Sequence, residues 1–156
     1  MEKLEALYRA AMEPEEIVGL SIGTRPDCLP EETVALLSKL NAIKPVSVEL
    51  GLQTVHPETV KYIRRGYDNA VYFDAVRRLK AAGLTVIVHV ILGLPGESRE
   101  MMLATIDYLG GPHRPDGVKL QLLHVLEGTD LAAYYRTTGF HILSEEEYIS
   151  LLLECI

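Results

Sequence analysis

Four short segments of the chain alternate between apolar and polar residues, and stretches with helical periodicity separate them. The alternating segments are residues 18–24, 46–53, 86–92 and 118–124, and the helical stretches are residues 2–12, 30–41, 56–63, 68–82, 99–109, 130–137 and a last one after Ser144. A regular succession of strand and helix is typical of repeated βα units, whose strands form a parallel sheet. The pattern therefore predicts an α/β fold with about four parallel strands and covering helices.

The two faces of the predicted sheet differ in polarity. One face carries the apolar residues Leu20, Ile22, Val48, Leu50, Leu52, Val88, Val90, Leu120 and Leu122. The other face carries Ser21, Gly23, Arg25, Glu49, Gly51, Gln53, His89, Lys119 and Gln121. Parallel strands are usually apolar on both faces, and buried polar groups without partners are costly. The polar face therefore predicts a lumen that binds a ligand. The alternative is a set of polar side chains that pair with one another or with water.

The length, the net charge and the lengths of the apolar runs restrict the class of protein to which the chain can belong. A length of 156 residues suits one domain. The net charge of −7 argues against strong nucleic-acid binding by this chain alone. No apolar run is long enough to span a membrane, and the N-terminal residues do not resemble a secretory signal. We therefore expect a cytoplasmic protein without membrane association.

The two cysteines do not form a metal-binding pattern. Cys28 and Cys155 lie far apart in the sequence, and neither belongs to a CxxC or CxxxCxxC motif. Such motifs are the usual sign of a metal or cluster site. We therefore expect no metal site built by this chain alone, and no structural disulfide in a cytosolic protein.

Both ends of the sequence lie in predicted helices, and this affects the expected domain organisation. The chain opens in a helix without a preceding strand and stops inside the last helix. Four βα units are too few to close an eight-stranded barrel. We therefore expect residues 1–156 to form a single partial (β/α) barrel domain that belongs to a larger protein. The strand at 18–24 would then have an open edge, which predicts a homodimer through that edge.

Short motifs follow the predicted strands, where ligands of parallel α/β folds bind. In chain order they are Gly51–Thr54, Arg64–Gly66, Leu92–Glu97 and Leu126–Thr129. Their order and spacing resemble those of radical S-adenosylmethionine (SAM) enzymes. The segment Thr24–Asp27 and His89 resemble the branch around the Elongator catalytic subunit, which includes uncharacterised bacterial relatives. The resemblance covers roughly residues 14 to 150 and implies a fragment of a (β/α)6 barrel.

The resemblance also implies roles for individual residues in binding SAM. Gln53 resembles the glutamine at a strand end that contacts the cofactor's ribose, and Arg65 resembles the arginine that binds its carboxylate. A guanidinium suits that task because it pairs with a carboxylate through two hydrogen bonds. Ile91, Leu92 and Gly93 resemble the segment whose backbone lies along the adenine. The alternative for Gln53 is a side chain that hydrogen-bonds within the lumen, and the alternative for Arg65 is an exposed charge on a helix surface.

The sequence departs from the family pattern in three places. The CxxxCxxC loop that binds the [4Fe–4S] cluster is absent, and so is the glycine-rich segment that binds the cofactor's amino group. Relatives often have histidine after Arg-Gly, where this chain has Tyr67. The chain therefore matches strands three to six of the family's six-stranded barrel. The resemblance implies SAM and a [4Fe–4S] cluster in the intact protein and neither cofactor in the isolated chain.

The resemblance implies radical chemistry in the intact protein. A reduced cluster would cleave SAM to a 5′-deoxyadenosyl radical, which would abstract hydrogen from a substrate, and Elongator-like relatives suggest RNA as that substrate. The residues expected to line the substrate lumen are Arg25, Glu49, His89, Lys119 and Gln121. Two alternatives remain: a non-catalytic α/β module for binding or oligomerisation, and an aldolase or isomerase that uses Glu49, His89 and Lys119.

Overall fold

The computed structural model describes residues 1–111 and 114–156. Within these residues the chain forms four strands and seven helices, with a short 3₁₀ turn at Pro26–Cys28. In order they are α1 (Glu2–Met12), β1 (Leu20–Thr24), α2 (Glu31–Asn41), β2 (Val46–Gln53), α3 (Pro57–Tyr62), α4 (Asn69–Ala81), β3 (Thr85–Leu92), α5 (Arg99–Leu109), β4 (Gly117–Leu122), α6 (Asp130–Thr138) and α7 (Glu145–Cys155).

The four strands form one parallel sheet in the order β1-β2-β3-β4, as the alternating pattern predicts. Strand β1 begins two residues later than expected, and Val18 is 84% exposed. The first bond of this pair runs from Leu20 N–H to Pro45 O, and proline has no N–H with which to extend the ladder. Strand β4 ends at Leu122, before the expected His124, because β3 ends at Leu92 and Gly93 turns away with a φ of 87°.

Helices cover the apolar face of the sheet, which is the face predicted from the sequence. The side chains of Val48, Leu50, Leu52 and Val88 are fully buried. Residues of α2, α4, α5 and α7 belong to the same apolar cluster, among them Leu37, Leu79, Met102 and Leu151. Full burial of one such side chain contributes roughly 1.5–3 kcal/mol. This one-sided core stabilises the sheet and leaves its polar face available for a site.

The last helix packs on the sheet within the same chain. Ser144 and Glu147 form the predicted capping box, in which each side chain accepts a hydrogen bond from the other residue's backbone N–H. Leu151 is fully buried, and the Tyr148 hydroxyl donates to Leu120 O in β4 at 3.0 Å. Helix α7 therefore covers β4 and shares its core with the rest of the sheet.

Candidate functional site

A cleft of about 730 Å³ lies at the C-terminal edge of the sheet. Four residues predicted as site residues line it: Arg25, Gln53, Arg65 and Ile91. The other lining residues include Tyr62, Tyr67, Leu94, Pro95, Leu123 and Tyr134. A volume of a few hundred cubic ångströms with mostly apolar walls and few polar groups is typical of small-molecule sites.

Gln53 occupies a strained turn at the end of β2. Its φ is +62°, and Thr54 N–H donates to Leu52 O at 2.8 Å, so Gln53 is the central residue of a γ-turn. A γ-turn with positive φ is rare and strained. The strand is irregular here, because the pairing with β3 shifts between Gly51 and Gln53. This backbone directs Gln53 into the cleft wall.

The side chain of Gln53 has a buried oxygen without a hydrogen-bond partner in the described part of the chain. This side chain folds back over Gly51, where an added β-carbon would clash with the Gln53 amide nitrogen. Its Oε1 is buried and has no hydrogen-bond partner among the described residues. An unpaired buried acceptor costs about 1–3 kcal/mol. Gln53 lines the cleft, so a hydroxyl or N–H of a ligand would satisfy this acceptor once the side chain turned toward it.

Arg65 is 7% exposed and donates mainly to the chain itself. Its Nη1 donates to Leu52 O at 2.8 Å and to Thr54 O at 3.0 Å, and its Nε donates to Tyr67 O at 3.0 Å. Its Nη2 donates to Asn69 Oδ1 at 2.8 Å. Burial lowers the pKa of this guanidinium from its ordinary value. Four of the five N–H groups therefore serve the fold, and the predicted carboxylate-binding role stays a prediction.

Tyr67 is a cleft residue to which sequence reasoning assigned no role. Its hydroxyl donates to Gly51 O at 2.6 Å, and burial raises its pKa. The guanidinium carbons of Arg65 and Arg25 lie 4.7 and 5.3 Å from the ring centroid. Arg25 is oriented by Asp27, whose carboxylate accepts from Nε at 2.9 Å and from Nη2 at 2.6 Å. The only feature of the sequence that drew attention to Tyr67 was its position directly after Arg65 and Gly66.

The predicted adenine segment is divided by the structure. Ile91 lines the cleft, whereas the side chain of Leu92 is fully buried in the core. Gly93 is also buried, and its N–H donates to Met102 Sδ at 3.0 Å. A β-carbon at Gly93 would lie 3.3 Å from the side chain of Leu143. The close approach at this glycine is therefore made by Leu143, which the sequence pattern did not indicate.

The polar face of the sheet brings four of the five predicted lumen residues together around one carboxylate, whereas Arg25 lines the cleft. Glu49 accepts from Ser21 Oγ at 2.7 Å and from Lys119 Nζ, which lies 2.7 Å from each carboxylate oxygen. His89 Nε2 lies 2.6 Å from Glu49 Oε2, and His89 Nδ1 lies 3.3 Å from Gln121 Oε1. We call Ser21, Glu49, His89, Lys119 and Gln121 the lumen network. Every strand of the sheet contributes to it.

The charge state of Glu49 follows from these donors. The hydrogen bonds from Lys119, Ser21 and His89 lower the pKa of Glu49 to about 2. An ionised carboxylate only accepts hydrogen bonds, so His89 Nε2 must carry the shared proton. The other ring nitrogen, Nδ1, faces the side-chain amide of Gln121.

The rim of the cleft comes from two helices that no sequence motif connects. Tyr62 of α3 and Tyr134 of α6 meet edge to face, with ring centroids 5.7 Å apart. Arg64 and Asp130 form an ion pair at 3.0 Å across the same rim. These contacts join segments that are distant in sequence, so they depend on the tertiary fold.

The described part of the chain contains neither a group of side chains that could bind a metal ion nor a helix that could span a membrane. Within residues 1–111 and 114–156, no three His, Cys, Asp or Glu side chains are grouped as ligands of a metal ion. In the same residues, no helix combines the length and the apolar character needed to cross a membrane.

Two family profiles match this chain. The profile of the Radical SAM superfamily matches residues 1–109, and that of the Radical_SAM C-terminal domain matches residues 115–156. The chain is 38% identical to the uncharacterized protein YtqA of Bacillus subtilis (strain 168) over 154 residues. That alignment covers 99% of this chain and 48% of the relative, and the chain likewise spans about half the length of two further curated relatives.

Named relatives and solved structures agree with the profile matches. A tRNA uridine(34) acetyltransferase of Methanocaldococcus infernus is 36% identical over 138 residues, which are 86% of this chain and 25% of the relative. The structure of Elp3 from the same archaeon, with an N-terminal deletion, has a TM-score of 0.79 and 34% identity over 88% of this chain and 32% of that one. Coproporphyrinogen III oxidase from Escherichia coli, at 19% identity and a TM-score of 0.71, covers 98% of this chain and 34% of its own and shares the fold. The partial barrel and the profile matches together assign this chain to the radical SAM superfamily.

Proposed function

We propose that this chain forms the part of a radical SAM barrel that binds SAM and faces the substrate. The observation that carries the proposal is the unpaired, buried Oε1 of Gln53 beside the cleft at the C-terminal edge of the sheet. Strained residues persist where the surroundings hold them, and they concentrate at functional sites. The cleft and the polar lumen face would act together as one site.

The cleft residues fit the chemical groups of SAM. Gln53 Oε1 would accept a hydrogen bond from a ribose hydroxyl, and Ile91, Leu94 and Pro95 would contact the adenine. The N–H of Arg65 not used by the chain would donate to the carboxylate. When bound, SAM supplies the adenosyl group with which this superfamily begins radical chemistry. The chain's own residues orient the cofactor and exclude water from it.

The residues of this chain do not fit the [4Fe–4S] cluster. The superfamily's cluster loop supplies three thiolates, whereas the chain contains two cysteines, Cys28 and Cys155, far apart in sequence. Cys28 is exposed and Cys155 is half-buried in α7.

The lumen network would provide proton transfer beside the cofactor. With its Nε2 proton shared with Glu49, His89 would exchange a proton at Nδ1 once a ligand displaced the Gln121 amide from that nitrogen. Lys119 and Ser21 fix the carboxylate that orients the ring. This arrangement also favours a second candidate function, acid–base catalysis by Glu49, His89 and Lys119 without SAM. The Gln53 oxygen has no part in that alternative, so cofactor binding separates the two.

RNA is the substrate that the named relatives support. The relative from Methanocaldococcus infernus is a tRNA uridine(34) acetyltransferase, and it aligns with 86% of this chain. Arg25 and Arg64 line the cleft and would attract phosphate, although the chain as a whole is acidic. We further propose a cytoplasmic location, one domain over residues 1–156, and a homodimer through the edge of β1.

Calorimetric titration of the intact protein with SAM tests the cofactor site that this chain contributes. We expect saturable binding, and we expect Gln53→Ala to weaken the affinity about fivefold, since one neutral hydrogen bond of about 1 kcal/mol is lost. The control is Glu146→Ala on the exposed side of α7, which should bind like the wild type. Absence of any SAM binding, or equal affinity for the wild type and Gln53→Ala, would overturn the proposal.

A further inference from the structure

We infer that Glu97 and Thr54 are positioning residues that hold Gln53 in its strained turn and so set the orientation of its side chain toward the cofactor. The inference rests on the proposed SAM site. Glu97 is not among the residues that line the cleft, so it would act through Thr54 and the backbone of Gln53.

A tight turn after β3 brings Glu97 to this place. Glu97 N–H donates to Leu94 O at 3.1 Å, and Gly96 has a φ of +85°. Proline at the second position and glycine with positive φ at the third are the features of a type II turn. The segment Leu94–Glu97 therefore forms a turn whose last side chain points back toward the end of β2.

The Thr54 hydroxyl connects this turn to the loop after β2. Thr54 is fully buried, and its Oγ1 donates to Glu97 Oε1 at 2.5 Å. The same oxygen accepts from His56 N–H at 3.2 Å. Because the single hydroxyl proton is directed to Glu97, the carboxylate fixes the rotamer of Thr54. Hydrogen bonds to an ionised acceptor are short and roughly twice as strong as neutral ones.

Two groups hold the Gln53 turn from different parts of the chain. Arg65 Nη1 donates to the carbonyls of Leu52 and Thr54, the residues on either side of Gln53. Glu97 holds the side chain of Thr54. A non-glycine residue with positive φ persists only when its surroundings over-determine it. Removing the Glu97 contact should let Gln53 return to negative φ and move its side chain from its present place beside the cleft.

The SAM affinity of matched variants of the intact protein tests the connection. We expect Glu97→Ala and Thr54→Val to weaken SAM binding by up to about fivefold, the loss expected for Gln53→Ala, because both residues act through Gln53. The conservative variants Glu97→Gln and Thr54→Ser keep the contact and should stay within about twofold of the wild type. In a Gln53→Ala background, Glu97→Ala should cause no further loss. A further fivefold loss in that background would overturn the inference, since Glu97 would then act independently of Gln53.

An NMR measurement on the ligand-free chain separates this inference from the proposed function. We expect the Cβ chemical shift and the HN–Hα coupling of Gln53 to report positive φ in the wild type and in Glu97→Gln. Both should change to values of negative φ in Glu97→Ala and Thr54→Val. If the turn responds in this way but the wild type binds no SAM, the proposed function fails and the positioning role stands. If Gln53 keeps positive φ in Glu97→Ala, the positioning role is wrong whatever the affinity.

Discussion

Replacing Arg65 with alanine should destabilise the fold, a result that a purely ligand-binding arginine would not give. The guanidinium donates to three backbone carbonyls and to Asn69 Oδ1. Leu52 O would keep its bond from Thr54 N–H, whereas the carbonyls of Thr54 and Tyr67 would lose the donors that Arg65 provides. An unpaired buried acceptor such as Thr54 O costs about 1–3 kcal/mol, and the part-buried Tyr67 O and the lost guanidinium packing add to that cost. We therefore expect the free energy of unfolding to fall by about 3 kcal/mol, a large part of the 5–15 kcal/mol typical of a domain.

Urea unfolding followed by circular dichroism measures this loss. The matched control is Arg77→Ala, because the Arg77 side chain is 68% exposed and its ion pair with Asp74 lies on the surface. That variant should change stability by less than about 1 kcal/mol. Arg65→Lys should lie between the wild type and Arg65→Ala, since one ammonium cannot reach all four oxygens. A loss below about 1 kcal/mol for Arg65→Ala would refute the structural role and favour a guanidinium that is reserved for a ligand.

Four further predictions concern the lumen, the strained turn, the cysteines and the sheet edge. The folded-state pKa of Glu49, about 2, lies below its ordinary 4.5. Its charge therefore stabilises the fold above pH 4.5 and the effect is lost as pH falls toward 2, so the stability difference between wild type and Glu49→Gln should shrink over that range in urea titrations. Gln53→Gly should raise the free energy of unfolding by about 1 kcal/mol in the same assay while weakening SAM binding, because glycine adopts positive φ without strain; a loss of stability would contradict the strain argument. Anaerobic incubation with iron and sulfide should give no stable cluster absorbance, and a stoichiometric cluster would contradict this expectation. Sedimentation at low micromolar concentration should show a dimer, and a single monomer boundary with full hydrogen-exchange protection of the Leu20–Thr24 amides would contradict pairing through β1.

The sheet, its apolar face and several helix caps could be predicted because they depend on local periodicity. Alternation in β2 and β3 identified which residues are buried, and the capping box at Ser144 was visible from the residue three positions later. The ends of β1 and β4 were misplaced because they depend on the neighbouring strand. Pro45 ends one ladder and the turn at Gly93 ends the other, and neither effect is encoded in the strand that it shortens.

The site was predicted as a set of residues but not as a geometry. The sequence predicted that Glu49, His89 and Lys119 face one lumen, and their contacts agree with that placement. The γ-turn at Gln53 had no signal, because glutamine rarely adopts positive φ. The burial of the Arg65 side chain could not be predicted either, since an arginine between a helix and a loop is usually exposed. Both features depend on contacts between segments that are distant in the chain.

The lumen network also specifies the register of the sheet. The buried apolar face already restricts the register, because a slip of one residue moves every side chain to the opposite face. Here a single carboxylate on β2 collects donors from β1, β3 and β4, which lie 28, 40 and 70 residues away in sequence. A shifted β1 or β4 would remove one of the donors to the Glu49 charge, which is costly in a partly buried place. The contacts around Glu49 are therefore complete only when all four strands have paired in the native register. A misaligned sheet lacks at least one of these contacts and is less stable than the native sheet.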